Sequence, residues 1–125
     1  MYEADMWNYR QAEAADTDVT GFKVEALDGS IGKVDAATYD TDSSSIVVDT
    51  GPWIFGKKVL LPAGVVDRLD YDDEKVYVHR TKDQIKNAPE YDDSLANDSA
   101  YRESVGSYYG TGAGYRSFDD SPLPR

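Results

Sequence analysis

The sequence contains no cysteine, which removes disulfides, thiolate nucleophiles and cysteine-ligated zinc together. No apolar run in it approaches the eighteen or so residues needed to span a bilayer. Histidine occurs once, as His79, so the only side chain that ordinarily titrates near neutrality has no second copy to work with. Positive charge is scarce as well: 13 Lys and Arg stand against 24 Asp and Glu, for a formal net charge of −11. The deficit is spread along the chain, with −4 in residues 1–18, −4 in residues 19–91 and −3 in residues 92–125. No basic stripe emerges to neutralise phosphates, the term that dominates nucleic-acid affinity. Anionic membranes would repel such a chain. Neither nucleic acid nor membrane is therefore expected as a partner. The acidic start, Met1-Tyr2-Glu3-Ala4-Asp5, lacks the positive charge and apolar stretch of a secretory signal, and a soluble, cytoplasmic protein is the expectation.

What is there is concentrated in the middle. Phe22, Val24 and Ala26 alternate with Lys23 and Glu25, the pattern of a strand with one buried face. Asp28-Gly29 is a tight-turn signal, because Gly accepts the positive φ that such turns need. A second strand is expected from Ile31 to about Tyr39, with Gly32 marking a bulge or a close backbone approach. Ser45–Asp49 reads as a third strand, apolar on both faces at Ile46-Val47-Val48, and Lys57–Leu61 as a fourth, stopped by Pro62. Val65–Leu69 and Lys75–Arg80 complete a set of six. Thr81 stands as an N-cap before a short helical turn over Lys82–Asn87, which must end near Pro89. Six short strands at this spacing indicate an all-β barrel or sandwich, and closure avoids two long unpaired edges.

The flanks differ from the middle. Residues 1–18 form an acidic extension with Trp7, Tyr9 and an Ala-rich stretch too short to hold a helix alone. Residues 92–125 are rich in Ser, Asp, Tyr and Gly, and by composition read as a flexible, mostly irregular tail. The domain itself occupies residues 19–91. A core of about seventy residues is modest, so support from oligomerisation or from the flanks is expected, with a homodimer as the leading form.

Several motifs in the middle resemble the PRC-barrel family: Gly21-Phe22-Lys23-Val24, Asp28-Gly29-Ser30-Ile31-Gly32-Lys33-Val34, Val59-Leu60-Leu61-Pro62 and the closing Val76-Tyr77-Val78 followed by Thr81 to Tyr91. The family takes its name from the cytoplasmic domain of the photosynthetic reaction-centre H subunit and includes a domain of the ribosome-maturation protein RimM. The loop Gly51–Lys58 makes the chain look most like short stand-alone actinobacterial members. The resemblance implies a small six-stranded barrel used as an adaptor or assembly module, with no catalytic residues to carry over.

The residues offer little chemistry of their own. His79 alternates with Val76 and Val78 and has no nucleophile–base partner set, so no enzyme activity is expected. The loop from Asp40 places Asp40, Asp42 and Ser44 at the first, third and fifth positions of a calcium loop. Ser45 and Gly51 then fail the sixth and twelfth, and no metal or cofactor is expected. The Asp70–Glu74 cluster reads as a solvated turn. Candidate interaction residues are Trp53, Ile54 and Phe55 on the apolar loop, which either cap the core or face a partner. Beside them, Lys57 and Lys58 form a basic rim suited to an acidic edge or tail of a second copy. Tyr77 on the sixth strand, and Tyr108 and Tyr109 in the tail, complete the set. The leading expectation is a non-enzymatic adaptor or scaffold acting through protein contacts. The alternatives are a small-molecule module with a pocket near Trp53 and Tyr77 and, by analogy with RimM, an RNA-processing accessory role.

Overall fold

The computed structural model describes Trp7, residues 18–37, 44–51, 57–95, 98–110 and Gly112. Six strands follow one another in the chain: β1 (Lys23–Ala26), β2 (Gly29–Ala37), β3 (Ser45–Asp49), β4 (Lys58–Pro62), β5 (Val66–Asp70) and β6 (Lys75–Val78). They form one sheet in the order β4-β3-β2-β1-β6-β5. β1 to β4 make an antiparallel meander, β5 and β6 an antiparallel hairpin, and a parallel β1–β6 pairing joins the two. Each expected strand is present, displaced by no more than two residues at its ends.

Closure is where the structure departs from expectation. The hydrogen-bonded ladder does not run from β4 to β5. Instead the free edge of β4 is bridged at Lys58 by Tyr91, and β4 passes into β5 through a single 3-10 turn, Ala63–Val65. That turn starts after Pro62, whose missing N–H cannot donate to a ladder. The two end strands of the sheet are thus consecutive in the chain without being paired, and among the described residues the molecule is an all-β sheet rather than a closed barrel.

Bulges set which side chains face inward. The β1–β2 register slips between Val24 and Glu25, leaving Ile31 as the extra residue, and a second slip sits at Asp35 against β3. Gly32 is what permits the first of these. Its φ is 143°, and a Cβ built there would lie 2.0 Å from the carbonyl oxygen of Asp49. Without a side chain, β2 and β3 can approach, and Ile31 and Val34 both point into the core.

The core is one cluster drawn from all six strands, and it extends into both flanks. The helical turn α1 (Lys82–Lys86) carries a full capping box: the Gln84 N–H donates to the Thr81 hydroxyl, and the Thr81 N–H donates to the Gln84 side chain. The tail is the larger correction. Residues expected to be irregular form a twelve-residue helix, α2 (Ser99–Gly110), capped where the Tyr101 N–H donates to the Asp98 carboxylate at 2.9 Å. Tyr101, Val105, Tyr108 and Tyr109 fall at helical spacing on one face; three of them are buried, and Tyr108 packs against the core. The reason lies in β3 and β4. Val47 and Leu60 are paired across them on the face opposite Val48 and Val59, and both are buried. Strands apolar on both faces need a second layer, and α2, packed on β4, provides it. Trp7 joins the same cluster: its carbonyl accepts from the Ser44 N–H, and Arg102 of α2 lies 4.3 Å over its ring. Of the two expected sources of support, oligomerisation and the flanks, the flanks supply burial in this part of the molecule.

Candidate functional site

The exposed face of the sheet carries a row of charge. In register across the strands stand Lys58 of β4, Asp49 of β3, Lys33 of β2, Lys23 of β1, Lys75 of β6 and Asp70 of β5. Directly paired residues project from the same face. Three lysines therefore lie abreast on three adjacent strands, spanning roughly 10 Å at ordinary strand spacing. Like charges placed directly opposite one another destabilise a sheet. Lys23, Lys33 and Lys75 nevertheless have no ion-pair partner among the described residues.

The three line an open groove of about 790 Å³, together with Glu25, Ser30, Gly32, Asp49, Gly51 and Lys82. Lys82 enters from α1, whose first N–H donates to the Asp28 carboxylate at 2.8 Å and so ties α1 to the β1–β2 turn. Its side chain lies along Gly29, where a Cβ would come 3.4 Å from Nζ. Four lysines against two carboxylates leave the groove with a net charge of +2, on a chain whose total is −11. A net positive groove thus stands on a chain whose every segment is net negative in sequence.

The residues singled out from sequence are placed elsewhere. Trp53, Ile54 and Phe55 lie outside the described residues, as do Asp40 and Asp42 of the acidic loop. Lys57 pairs with Glu90, and Lys58 reaches Asp35 at 3.1 Å. Both cations of the expected rim are thus engaged within the chain. Tyr77 is half-buried on β6, two positions beyond Lys75 and on the same face, with the Arg68 guanidinium 4.0 Å over its ring. Tyr108 and Tyr109 belong to α2 and turn toward their own chain. The Tyr108 hydroxyl donates to the Gln84 carbonyl at 2.6 Å, and Tyr109 is fully buried. They anchor the helix on this domain instead of presenting themselves to a second subunit.

Around Tyr109 the interior is polar. Arg80 is fully buried, and its guanidinium donates to the Tyr109 carbonyl at 3.0 Å and to the His79 carbonyl at 2.6 Å. A cation at the C-terminal end of α2 complements the helix dipole and an otherwise unsatisfied last-turn carbonyl. Burial pushes the Tyr109 and Tyr101 phenols well above their ordinary range, with neighbouring Tyr108 adding at Tyr109 and Tyr91 and Asp92 adding at Tyr101. The Tyr109 hydroxyl has no hydrogen-bond partner among the described residues.

Sequence reasoning missed Lys23, Lys33, Lys75 and Lys82. Each is an ordinary lysine in isolation, and only register brings Lys23, Lys33 and Lys75 together. The Asp28-Gly29 turn did contain part of the signal, since it brings β2 back along β1 and so sets Lys33 opposite Lys23 once the bulge at Ile31 is counted. Among the described residues no group of three or more His, Asp or Glu side chains gathers as a metal site, and no helix is long and apolar enough to cross a membrane. In comparison with known proteins, no family model matches the chain, and no curated protein is significantly similar to it.

Proposed function

We propose that the chain is a non-enzymatic adaptor of the PRC-barrel type that engages a partner through anionic groups held on the lysine row. The observation that carries the reading is the row itself: three lysines abreast on the central strands, unpaired among the described residues, at a standing cost to the sheet. A purely structural face would be expected to alternate the signs of charge, as the flanking positions do. The family reading draws on the meander, the parallel return of β6 to β1 and the three-residue turn that links the two end strands, with the ladder open between β4 and β5. The contact is placed on this row in preference to the Lys57-Lys58 rim, because Glu90 and Asp35 already neutralise that rim. The small-molecule alternative moves with it, away from Tyr77, which does not line the groove.

The test is an amide chemical-shift titration of the full chain with three anionic probes: citrate, a glutamate-rich peptide and inorganic phosphate. Saturable, salt-sensitive shifts centred on residues 23, 33 and 75 are expected from at least one probe. They should be lost when all three lysines are changed to Gln. A flat response to every probe would remove the reading.

A further inference from the structure

Resting on the reading of the lysine row as an anion-contact face, we infer that the row is built for a compact tetrahedral dianion, a phosphate monoester, and not for an acidic stretch of polypeptide. The order of charges along the row makes the distinction. Asp49 stands at one end and Asp70 at the other, with Lys33, Lys23 and Lys75 between them. An extended acidic segment laid across the strands would bring its outer carboxylates against those two aspartates. A single small anion over Lys23 has a lysine on each side within the row, and Glu25, one row along β1, is the nearest carboxylate on that strand.

The central lysine has a lysine neighbour on each side at one strand spacing, about 5 Å away at the backbone. Three long, flexible stems can therefore converge their heads on one group above Lys23. A carboxylate offers two oxygens and a single negative charge to set against three ammonium groups. A phosphate monoester offers three oxygens and, at neutral pH, close to two charges. That charge matches the net +2 of four lysines and two carboxylates lining the groove. Lysine is suited to such a group because it acts as a point charge with rotatable donors and needs no planar partner. The Ser30 hydroxyl lines the same groove and adds a neutral donor. Two sources share this chemistry, a small phosphorylated metabolite and a phosphorylated side chain on a partner protein.

The full chain is titrated calorimetrically, at constant ionic strength, with glycerol phosphate, a phosphoserine peptide, the same peptide with glutamate in place of phosphoserine, and sulfate. Both phosphate arms are expected to saturate, and the tighter of the two names the source. The glutamate peptide should bind at least tenfold more weakly than its phosphorylated form. Because the second ionisation of a phosphate monoester lies near pH 6, its affinity should rise about tenfold between pH 5 and pH 7. Sulfate, a dianion throughout, reports any change arising from Glu25, Asp49, Asp70 or the lysines themselves and should stay nearly flat. Lys23→Gln is expected to weaken the phosphate ligands at least tenfold, whereas Lys57→Gln, outside the groove, leaves them unchanged. If the glutamate peptide binds as tightly as the phosphopeptide, the phosphate assignment is overturned while the anion-contact reading stands. If no ligand saturates, or Lys23→Gln leaves binding intact, both fall.

Discussion

The exposed face of the sheet is treated in two different ways along its width. Toward β3 and β4 its positions are Val47 and Leu60, and both are buried, with α2 packed on β4 and Trp7 in the same cluster. Toward β1, β2 and β6 the same face carries Lys23, Lys33 and Lys75, one row away, and no described element covers them. The covered half shows what this chain does with surface it needs to bury: it folds its own flank over it and caps the helix end with Arg80. Against that standard the open half is not an oversight of packing. It is a surface kept in water, with an electrostatic cost that an incoming anion would relieve.

The largest effect is expected at Gly32, on β2, where the open and covered halves meet. Gly32→Ala sets a Cβ against the Asp49 carbonyl and strains a positive φ. A loss of at least about 3 kcal/mol is expected in urea unfolding, with both halves melting together. A wild-type midpoint would show that β2 and β3 do not need this close approach. Val105→Ala acts on the covered half alone. Removing two carbons from a fully buried side chain of α2 should cost about 2 kcal/mol. Amide exchange should speed up in α2 and β4 while β1 and β6 keep their protection; uniform acceleration would deny that the halves are separable.

Alkali gives a graded version of the same experiment. The buried phenols of Tyr101 and Tyr109 have raised pKa values in the fold, so their contribution is intact below the ordinary phenol value of about 10. Above it the unfolded chain ionises while the folded chain holds its protons. Stability then falls by up to about 1.4 kcal/mol per pH unit for each tyrosine. Release of α2 should precede loss of the sheet, as read by far-ultraviolet circular dichroism between pH 9 and pH 12. The smallest effect is expected on the open half, and it has the opposite sign. Lys23→Gln removes the central cation of three and should stabilise the ligand-free protein by about 0.2–1 kcal/mol at low salt. The gain should fade as salt screens the row. Destabilisation at low salt would mean that the lysines are satisfied after all.

Much of the sheet was legible in the sequence because its signals are local. Alternation around Val24, the Asp28-Gly29 turn, Pro62 and the Thr81 cap each depend on neighbours within a few residues. The C-terminal helix was obscured for a physical reason. Gly106 within it and Gly110 at its end carry a helix penalty of about 1 kcal/mol each relative to Ala, and serines surround them, so composition pointed to a tail. The spacing of Tyr101, Val105, Tyr108 and Tyr109 was present but gains meaning only once β3 and β4 are known to need covering on both faces. The lysine row was hidden more deeply. It joins residues 23, 33 and 75 through two pairings and a bulge, and no window along the chain contains all three.

The parallel pairing of β1 with β6 also governs when the fold can form. Lys23 and Lys75 meet across about fifty residues of intervening chain, whereas each of the other pairings joins strands consecutive in the sequence. During synthesis the β1–β4 meander can assemble first, with the edge of β1 left bare until the sixth strand has emerged. Long-range closure of this kind slows folding and exposes a strand edge to other chains in the interval. In the waiting state that bare edge already carries Lys23, with Lys33 beside it. Charge at an unprotected edge discourages strand addition, so the lysines left open on the finished sheet would guard the unfinished one against its own kind.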